Sequence, residues 1–231
     1  MRGLAALVAF ALLVGACQQV GRVIDPDVAQ LERYQTARSE GRLRAIADEP
    51  VVSSCTPDRP ACGRLHAIRA EACLTLAMAD RASGVACPAA SSAARDDLTC
   101  AAEAYAAAMA ATGAGFSAAD QLAHRRGRVQ ALYCRAELDT VARGVVFARE
   151  ALQLSGPLPP PDRDTLGGSA ALFLARPGAG TDTVRCEQAR EALRRAREGL
   201  AAAQAPDDRA LLTRLASDAE ARRSTIPGCG A

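Results

Sequence analysis

Cysteine and histidine are the residue types in this chain whose side chains could support redox or metal chemistry. The sequence contains nine cysteines and two histidines, His66 and His124. Eight of the cysteines form a widely spread set of even number: Cys55, Cys62, Cys73, Cys87, Cys100, Cys134, Cys186 and Cys229. Even sets are typical of disulfide frameworks in proteins that meet an oxidising compartment. We therefore expect these eight cysteines to form four disulfide bonds.

A zinc site is the main alternative for part of this set. Thiolate and imidazole groups are zinc ligands, and His66 stands four residues beyond Cys62 in a stretch that also contains Cys55. The sequence has neither a C-x-x-C pair nor the C-x-x-C-H pattern of haem attachment. Because the remaining cysteines are widely spaced, we favour disulfides and expect no metal and no other cofactor.

The common catalytic and nucleotide-binding motifs are absent from the sequence. It has no P-loop, no G-x-G-x-x-G fingerprint and no H-E-x-x-H zinc motif. His66 and His124 fall on separate predicted helices, and no organised triad can be recognised around either. We therefore predict that the protein is not an enzyme. A periplasmic enzyme that acts on cell-wall material, with its site in a loop, is the rival hypothesis.

A short apolar run at the start of the chain has the layout of an export signal. Arg2 supplies a positive charge, residues 4–14 are apolar, and Gly15 and Ala16 are small. The run is too short to cross a membrane, because a spanning helix needs about 20 apolar residues. We expect residues 1–16 to be removed as a signal peptide.

The end of this leader, Val14-Gly15-Ala16-Cys17, resembles the lipobox of bacterial lipoproteins. The resemblance implies that a diacylglycerol is attached to the Cys17 thiol and that the new amine is acylated, for example with palmitate. Several acyl chains give durable anchoring, whereas one chain holds a protein only marginally. Gln18 follows, and the absence of Asp there implies sorting to the outer membrane, facing the periplasm. A plain signal peptide with a cysteine there by chance is the alternative.

The overall charge of the chain excludes one class of partner. All 28 basic residues are arginine, and they stand against 26 acidic residues. A nearly neutral chain lacks the basic surplus of a nucleic-acid-binding protein, so we expect no nucleic-acid partner. Lysine and asparagine are absent and alanine is very common, which indicates the codon bias of a GC-rich genome. The number of arginines is therefore not by itself an indication of function.

Turn and cap residues divide the rest of the chain. We expect a lipidated tether over residues 17–24, an N-terminal helix with a Cys/Pro-rich linker over 25–61, and a helical-repeat domain over 62–231. Asp25 as N-cap and Pro26 at the first helical position predict that the first helix runs to about residue 47.

Apolar residues at helical spacing predict the remaining helices. One stripe consists of Leu65, Ile68, Ala72, Leu76 and Ala79, another of Leu122, Val129, Leu132 and Ala136, and a third of Val141, Val145, Ala148 and Leu152. Further helices are expected over about residues 92–112, 165–175, 183–203 and 206–224. No segment shows the alternation typical of a strand. The predicted fold class is therefore all-α.

Three of these helices share an alanine-rich signature. Residues 104–109 read AYAAAM, and residues 148–152 and 189–193 both read AREAL. These segments resemble the second helix of tetratricopeptide repeats, which implies an α-solenoid of antiparallel helix pairs. The spacing exceeds the tetratricopeptide period of about 34 residues, so each unit would carry longer loops. A generic alanine-rich bundle is the alternative.

The register of such helix pairs proposes disulfide partners. A hairpin of the first two repeat helices brings Cys73 level with Cys100. The full proposal is Cys73 with Cys100, Cys87 with Cys134, Cys186 with Cys229, and Cys55 with Cys62. Eight cysteines allow 105 connectivities, so the pairing depends on this register.

Stacked helix pairs form a concave surface lined mainly by the first helix of each pair, here around residues 64–81 and 121–139. The candidate partner-binding residues on it are Arg64, Arg69, Arg125, Arg128 and Tyr133. The basic stretch over residues 124–128 could bind an acidic partner, or it could be an ordinary solvated face. We predict a membrane-anchored scaffold that binds an envelope protein or peptide in envelope assembly, secretion or cell-wall synthesis. A purely structural envelope lipoprotein is a further alternative.

Overall fold

A computed structural model describes residues 25–52, 55–56, 59–82 and 85–229 of the chain. Within these ranges the fold is all-α, with nine α-helices and no strand. The helices are α1 Pro26–Ser39, α2 Leu43–Asp48, α3 Pro60–Met78, α4 Ser92–Ala110, α5 Ala118–Glu137, α6 Val141–Ser155, α7 Asp162–Leu174, α8 Asp182–Ala202 and α9 Pro206–Thr225. A 3-10 turn, Thr112–Ala114, lies between α4 and α5.

From α3 onward, each helix packs against the next one in the chain. This arrangement is the predicted repeat-like stack of helix pairs, α3/α4, α5/α6 and α7/α8, followed by α9. The odd-numbered helices α3, α5, α7 and α9 also contact one another in turn, and they do so more closely than the even-numbered helices. We call the side of the stack formed by α3, α5, α7 and α9 the odd-helix face. Helices α1 and α2 pack against α3 at the N-terminal end.

Small residues allow these helices to approach one another. In the two AREAL segments, Ala148, Ala151, Ala189 and Ala192 have no exposed surface. At Gly144 a Cβ atom would collide with the buried ring of Phe173 and with a backbone carbonyl oxygen. The alanine-rich signature therefore marks positions where helices pack with little space between them.

Local capping explains where several helices begin. The Ser117 side chain accepts a hydrogen bond from the backbone N–H of Asp120, whose carboxylate accepts one from the backbone N–H of Ser117. This reciprocal capping box starts α5. Ser91 caps α4 in a similar way, and α1 begins with Asp25 as its cap and Pro26 at its first turn.

The N-terminal helix differs from the prediction. A single helix to about residue 47 is wrong, because α1 ends at Ser39 and α2 begins only at Leu43. Gly41 lies between them with φ 70°, in the left-handed region that favours glycine and ends helices. The chain thus turns back at Gly41 and places α2 on α3.

Two predicted core positions are also wrong. Leu122 is 38% exposed, because the first turns of α5 extend beyond the neighbouring helices. Ala79 lies just past the end of α3 and is exposed. The rest of both stripes is buried or half-buried.

Four disulfides join the cysteines in the pairs that the helix register proposes. They are Cys55–Cys62, Cys73–Cys100, Cys87–Cys134 and Cys186–Cys229, with Cα–Cα distances of 5.3, 6.0, 5.2 and 5.4 Å. The second bridge links α3 to α4, and the fourth links α8 to the segment after α9. The fold is therefore a disulfide-stapled stack of helices.

Candidate functional site

The two candidate arginines on α3 are held by backbone carbonyl groups. The Arg69 guanidinium donates hydrogen bonds of 3.1 and 3.0 Å to the carbonyl oxygen of Ala47 at the end of α2. Arg64 donates a bond of 3.4 Å to the carbonyl oxygen of Ala114. Both side chains therefore help to hold neighbouring segments against α3.

The basic stretch at the start of α5 does not form one surface patch. His124 is buried, with its ring centroid 4.5 Å from that of Phe116 and 5.9 Å from that of Tyr105. Arg126 forms an ion pair of 2.9 Å with Asp162 of α7. Consecutive helical residues point in different directions, so these charges are distributed around the helix axis.

The other three candidates of α5 also differ in their surroundings. Arg128 forms an ion pair with Glu150 of α6, at the edge of a cavity between α4, α5 and α6. Tyr133 is buried, and this burial raises the pKa of its hydroxyl. Arg125 is half-buried. The structure therefore does not bring the five candidate residues together into one site.

The odd-helix face contains an open cavity of about 370 Å³ between α7 and α9. Its lining combines apolar surface from Leu172 with charged groups from Arg176, Asp218 and Arg222. Arg176 donates hydrogen bonds of 2.7 and 2.6 Å to the Glu137 carboxylate of α5. An open, mixed surface of this kind suits a polypeptide segment, which presents both apolar and charged side chains.

The opposite side of the stack has a smaller cavity. It occupies about 180 Å³ between α4, α5 and α6, and Leu132 and Phe147 supply much of its apolar lining. Arg135 lies 5.0 Å above the ring centroid of Phe147 and donates hydrogen bonds to Thr99 and Asp139. Both arginines of its lining are thus engaged, Arg135 with Asp139 and Arg128 with Glu150.

The third cavity, of about 490 Å³, lies between α1 and α2. Arg33 pairs there with Glu49 at 2.7 Å, and Arg42 pairs with Glu40. These pairs are exposed to solvent, so each contributes little to stability or specificity.

Neither histidine shows a partner at Nδ1 that would orient its imidazole for acid-base chemistry. Within the described residues, Nδ1 of His66 and Nδ1 of His124 are both buried without a hydrogen-bond partner. Burial lowers the pKa of each imidazole, because the charged form loses solvation. Both rings are therefore neutral at neutral pH.

Three buried carboxylates were not anticipated from the sequence. Asp97 of α4 accepts two hydrogen bonds of 2.8 Å from Arg44 of α2, and Asp164 of α7 accepts two from Arg163. Asp27 of α1 lies 2.9 Å from the Arg59 guanidinium. The sequence around an aspartate in an amphipathic helix does not indicate whether its carboxylate will be buried. The Asp97 and Asp27 pairs connect separate segments of the chain, whereas the Asp164 pair lies within α7, and none of them forms a site.

Comparisons with protein-family models, with curated proteins and with solved structures find no match to this chain. None of the helices in the described part of the chain is long and apolar enough to cross a lipid bilayer.

Proposed function

We propose that this protein is a lipid-anchored scaffold of the bacterial envelope whose odd-helix face binds another protein or a peptide. The observation that carries the proposal is the stack itself. Consecutive odd-numbered helices contact one another along one side, and this side includes the open, mixed cavity between α7 and α9. Stacked helix pairs use such extended faces to bind polypeptides.

The proposed compartment is the periplasm. Disulfides persist in oxidising compartments such as the periplasm and are rare in the cytosol. The chain carries four of them, and three connect segments that lie 27, 47 and 43 residues apart. A protein with so many long-range bridges needs an oxidising compartment to reach its folded state.

The proposed anchor is a diacylglycerol thioether at Cys17, which lies outside the described residues. Its support is the lipobox-like sequence alone, together with Gln18, whose position after the cysteine favours the outer membrane. Cys17→Ala should abolish labelled palmitate incorporation and release the protein from the membrane fraction. Equal membrane recovery of variant and wild type would overturn the lipoprotein proposal.

The binding face can be tested by site-specific crosslinking in cells. A photo-crosslinking residue placed at Asp218 or Arg222 samples the odd-helix face, and one placed at Val146 of α6 samples an even-numbered helix. Val146 is a suitable control because its side chain is 65% exposed and free to react. We expect a discrete crosslinked product from Asp218 and Arg222 and none from Val146. Equal products from all three positions would contradict the proposed face.

A further inference from the structure

Three potential metal ligands meet at the start of α3. One ligand atom each from Cys55, Cys62 and His66 lie within 4.8 Å of one another. In the described part of the chain, no other cluster of three histidine, cysteine or carboxylate side chains brings its ligand atoms together in this way. None of the three residues lines the cavity between α7 and α9.

The geometry of α3 explains this arrangement. Cys62 and His66 are four residues apart on the helix, so their side chains lie one above the other on the same face. Cys55 belongs to the segment before α3 and reaches this face with a Cα–Cα distance of 5.3 Å to Cys62. Two ligands are thus held on a regular helix, and the third is supplied by a neighbouring loop.

The state of His66 suits metal binding. Its Nδ1 atom is buried and accepts no hydrogen bond in the described structure. A buried imidazole nitrogen without a hydrogen-bond partner has its lone pair available for a metal ion.

The disulfide between Cys55 and Cys62 differs from the other three. It closes a sequence separation of only 7, whereas the others close 27, 47 and 43. A short closed loop restricts the unfolded chain least, so opening this bridge costs the least stability. The other three bridges would continue to hold the stack together.

We propose that Cys55, Cys62 and His66 form a redox-gated site for a thiophilic cation of the Zn²⁺ class. In the oxidised protein both sulfur atoms are committed to the disulfide, and the site is closed. A dithiol reductant transfers two electrons and two protons to the bridge and becomes a disulfide itself. The cation then displaces the two thiol protons and binds two thiolates and one imidazole nitrogen.

This ligand set leaves one position of a tetrahedral ion open. Zinc is bound by cysteine and histidine with four ligands, and sites with three protein ligands hold a water molecule or another small ligand in the fourth position. The proposed site would therefore link the redox state of the compartment to the binding of a metal ion. It would leave the helix stack intact.

The test uses the full chain with Cys17→Ala, which removes the ninth thiol, purified in its oxidised form. Limited reduction with dithiothreitol, followed by alkylation and peptide mapping, identifies the bridge that opens first. Co²⁺ is then added to the partly reduced protein as a spectroscopic substitute for Zn²⁺. We expect the Cys55–Cys62 bridge to open first and about one equivalent of Co²⁺ to bind with sulfur-to-cobalt charge-transfer absorption. The oxidised protein should give no such absorption.

The two histidines provide a matched pair of variants. His66→Gln should weaken Co²⁺ binding by about tenfold or more, since removal of even a supporting group costs that much. His124→Gln, at a buried histidine that is not part of this ligand cluster, should leave it unchanged. Circular dichroism checks that both variants remain helical. Unchanged affinity in His66→Gln would overturn the proposal, as would Co²⁺ binding by Cys55→Ser/Cys62→Ser or earlier opening of another bridge.

Discussion

The two ends of the helix stack are stabilised by different kinds of contact. At the N-terminal end, buried polar groups hold α1 and the segment after α2 together. Gln30 and Tyr34 donate hydrogen bonds to the backbone carbonyl oxygens of Pro50 and Glu49, and Asp27 pairs with Arg59. At the C-terminal end, α8 and α9 pack through buried apolar residues: Ala192, Leu193, Ala196, Leu212, Leu215 and Ala219.

The difference follows from the length of the elements. Helices α8 and α9 have 21 and 20 residues, so most of their backbone groups are satisfied internally and an apolar stripe is sufficient for packing. Helix α2 has only 6 residues and leads into an irregular segment. The carbonyl groups of that segment need partners when they are covered, and the polar side chains of α1 supply them. The short N-terminal elements thus add side-chain hydrogen bonds to the apolar cluster around Tyr34, Ile46 and Leu65, whereas the long C-terminal helices pack mainly through apolar area.

The largest expected effect is at the C-terminal end. Leu212→Ala should lower the free energy of unfolding by about 2 to 5 kcal/mol, because it removes a fully buried side chain and leaves a cavity. Leu211→Ala, at the adjacent half-buried position, is the matched control and should cost clearly less. Urea denaturation measures both. Equal losses would show that apolar burial does not dominate this end.

The disulfides at the two ends should also differ. In the chain-entropy model, Cys186→Ala/Cys229→Ala should cost about 4 kcal/mol and Cys55→Ala/Cys62→Ala about 2.5 kcal/mol. The difference arises from sequence separations of 43 and 7. Thermal and urea unfolding of the two double variants measure it. If removal of the Cys55–Cys62 bridge lowers the free energy of unfolding more than removal of Cys186–Cys229, the Cys55–Cys62 bridge is a main structural support. It could then not be opened without a large loss of stability.

The hydrogen bonds of the N-terminal end should have a smaller individual effect. Tyr34→Phe removes the hydroxyl that donates to Glu49 and accepts from Gln30, and it should cost about 1 kcal/mol. Tyr105→Phe is the control, since Tyr105 is also buried but takes no part in the hydrogen bonds that hold α1 to Glu49. Equal stability of Tyr34→Phe and wild type, measured by urea unfolding, would mean that these bonds do not position α1.

The smallest expected effect is that of mild acid. Burial lowers the pKa of His66 and His124, so the unfolded chain binds protons first as the pH falls below about 6.5. Above about pH 6.5 both histidines are neutral in either state and do not affect stability. Stability should therefore decrease as the pH falls below that value, and it should level off below the lowered pKa values of the folded protein. His66→Gln and His124→Gln should each remove part of this decrease.

Hydrogen exchange can locate the same effect. Neither α8 nor α9 contains a histidine, so histidine protonation should reduce local protection around α3 and α5 more than in α8 and α9. If the loss of stability in acid persists unchanged when His66→Gln and His124→Gln are combined, carboxylates and not histidines are responsible. Uniform loss along the chain would remove the distinction between the two ends.

Much of the fold could be predicted because its signals are local. The cap at Asp25 with Pro26, and the alanine segments around Ala148 and Ala189, act within a few residues of the chain. The disulfide pairs could be proposed because an antiparallel hairpin brings residues such as Cys73 and Cys100 level. The break at Gly41 was missed, since one glycine in a helical pattern does not show whether the chain will turn.

The candidate site was harder to predict. Arginine is abundant throughout this chain, so the residue type did not distinguish a partner-binding arginine from one that supports the fold. Arg69 and Arg128 are engaged with neighbouring helices, while Arg222 of the odd-helix face was not singled out. The missing information was which side of each helix remains open after packing.

The spacing of apolar, capping and cysteine residues was sufficient to derive the helices, their approximate order and the disulfide framework. These features depend on interactions within one helix or between adjacent helices. The burial of the Asp97 carboxylate against Arg44, 53 residues away, depends on how α2 folds back over the stack. The meeting of His66 with the Cys55–Cys62 bridge likewise requires a loop to be placed beside α3. Such contacts cannot be recognised from neighbouring residues in the sequence. The free energy of burying a polar group is set by the distant segments that cover it and by the partner that they supply.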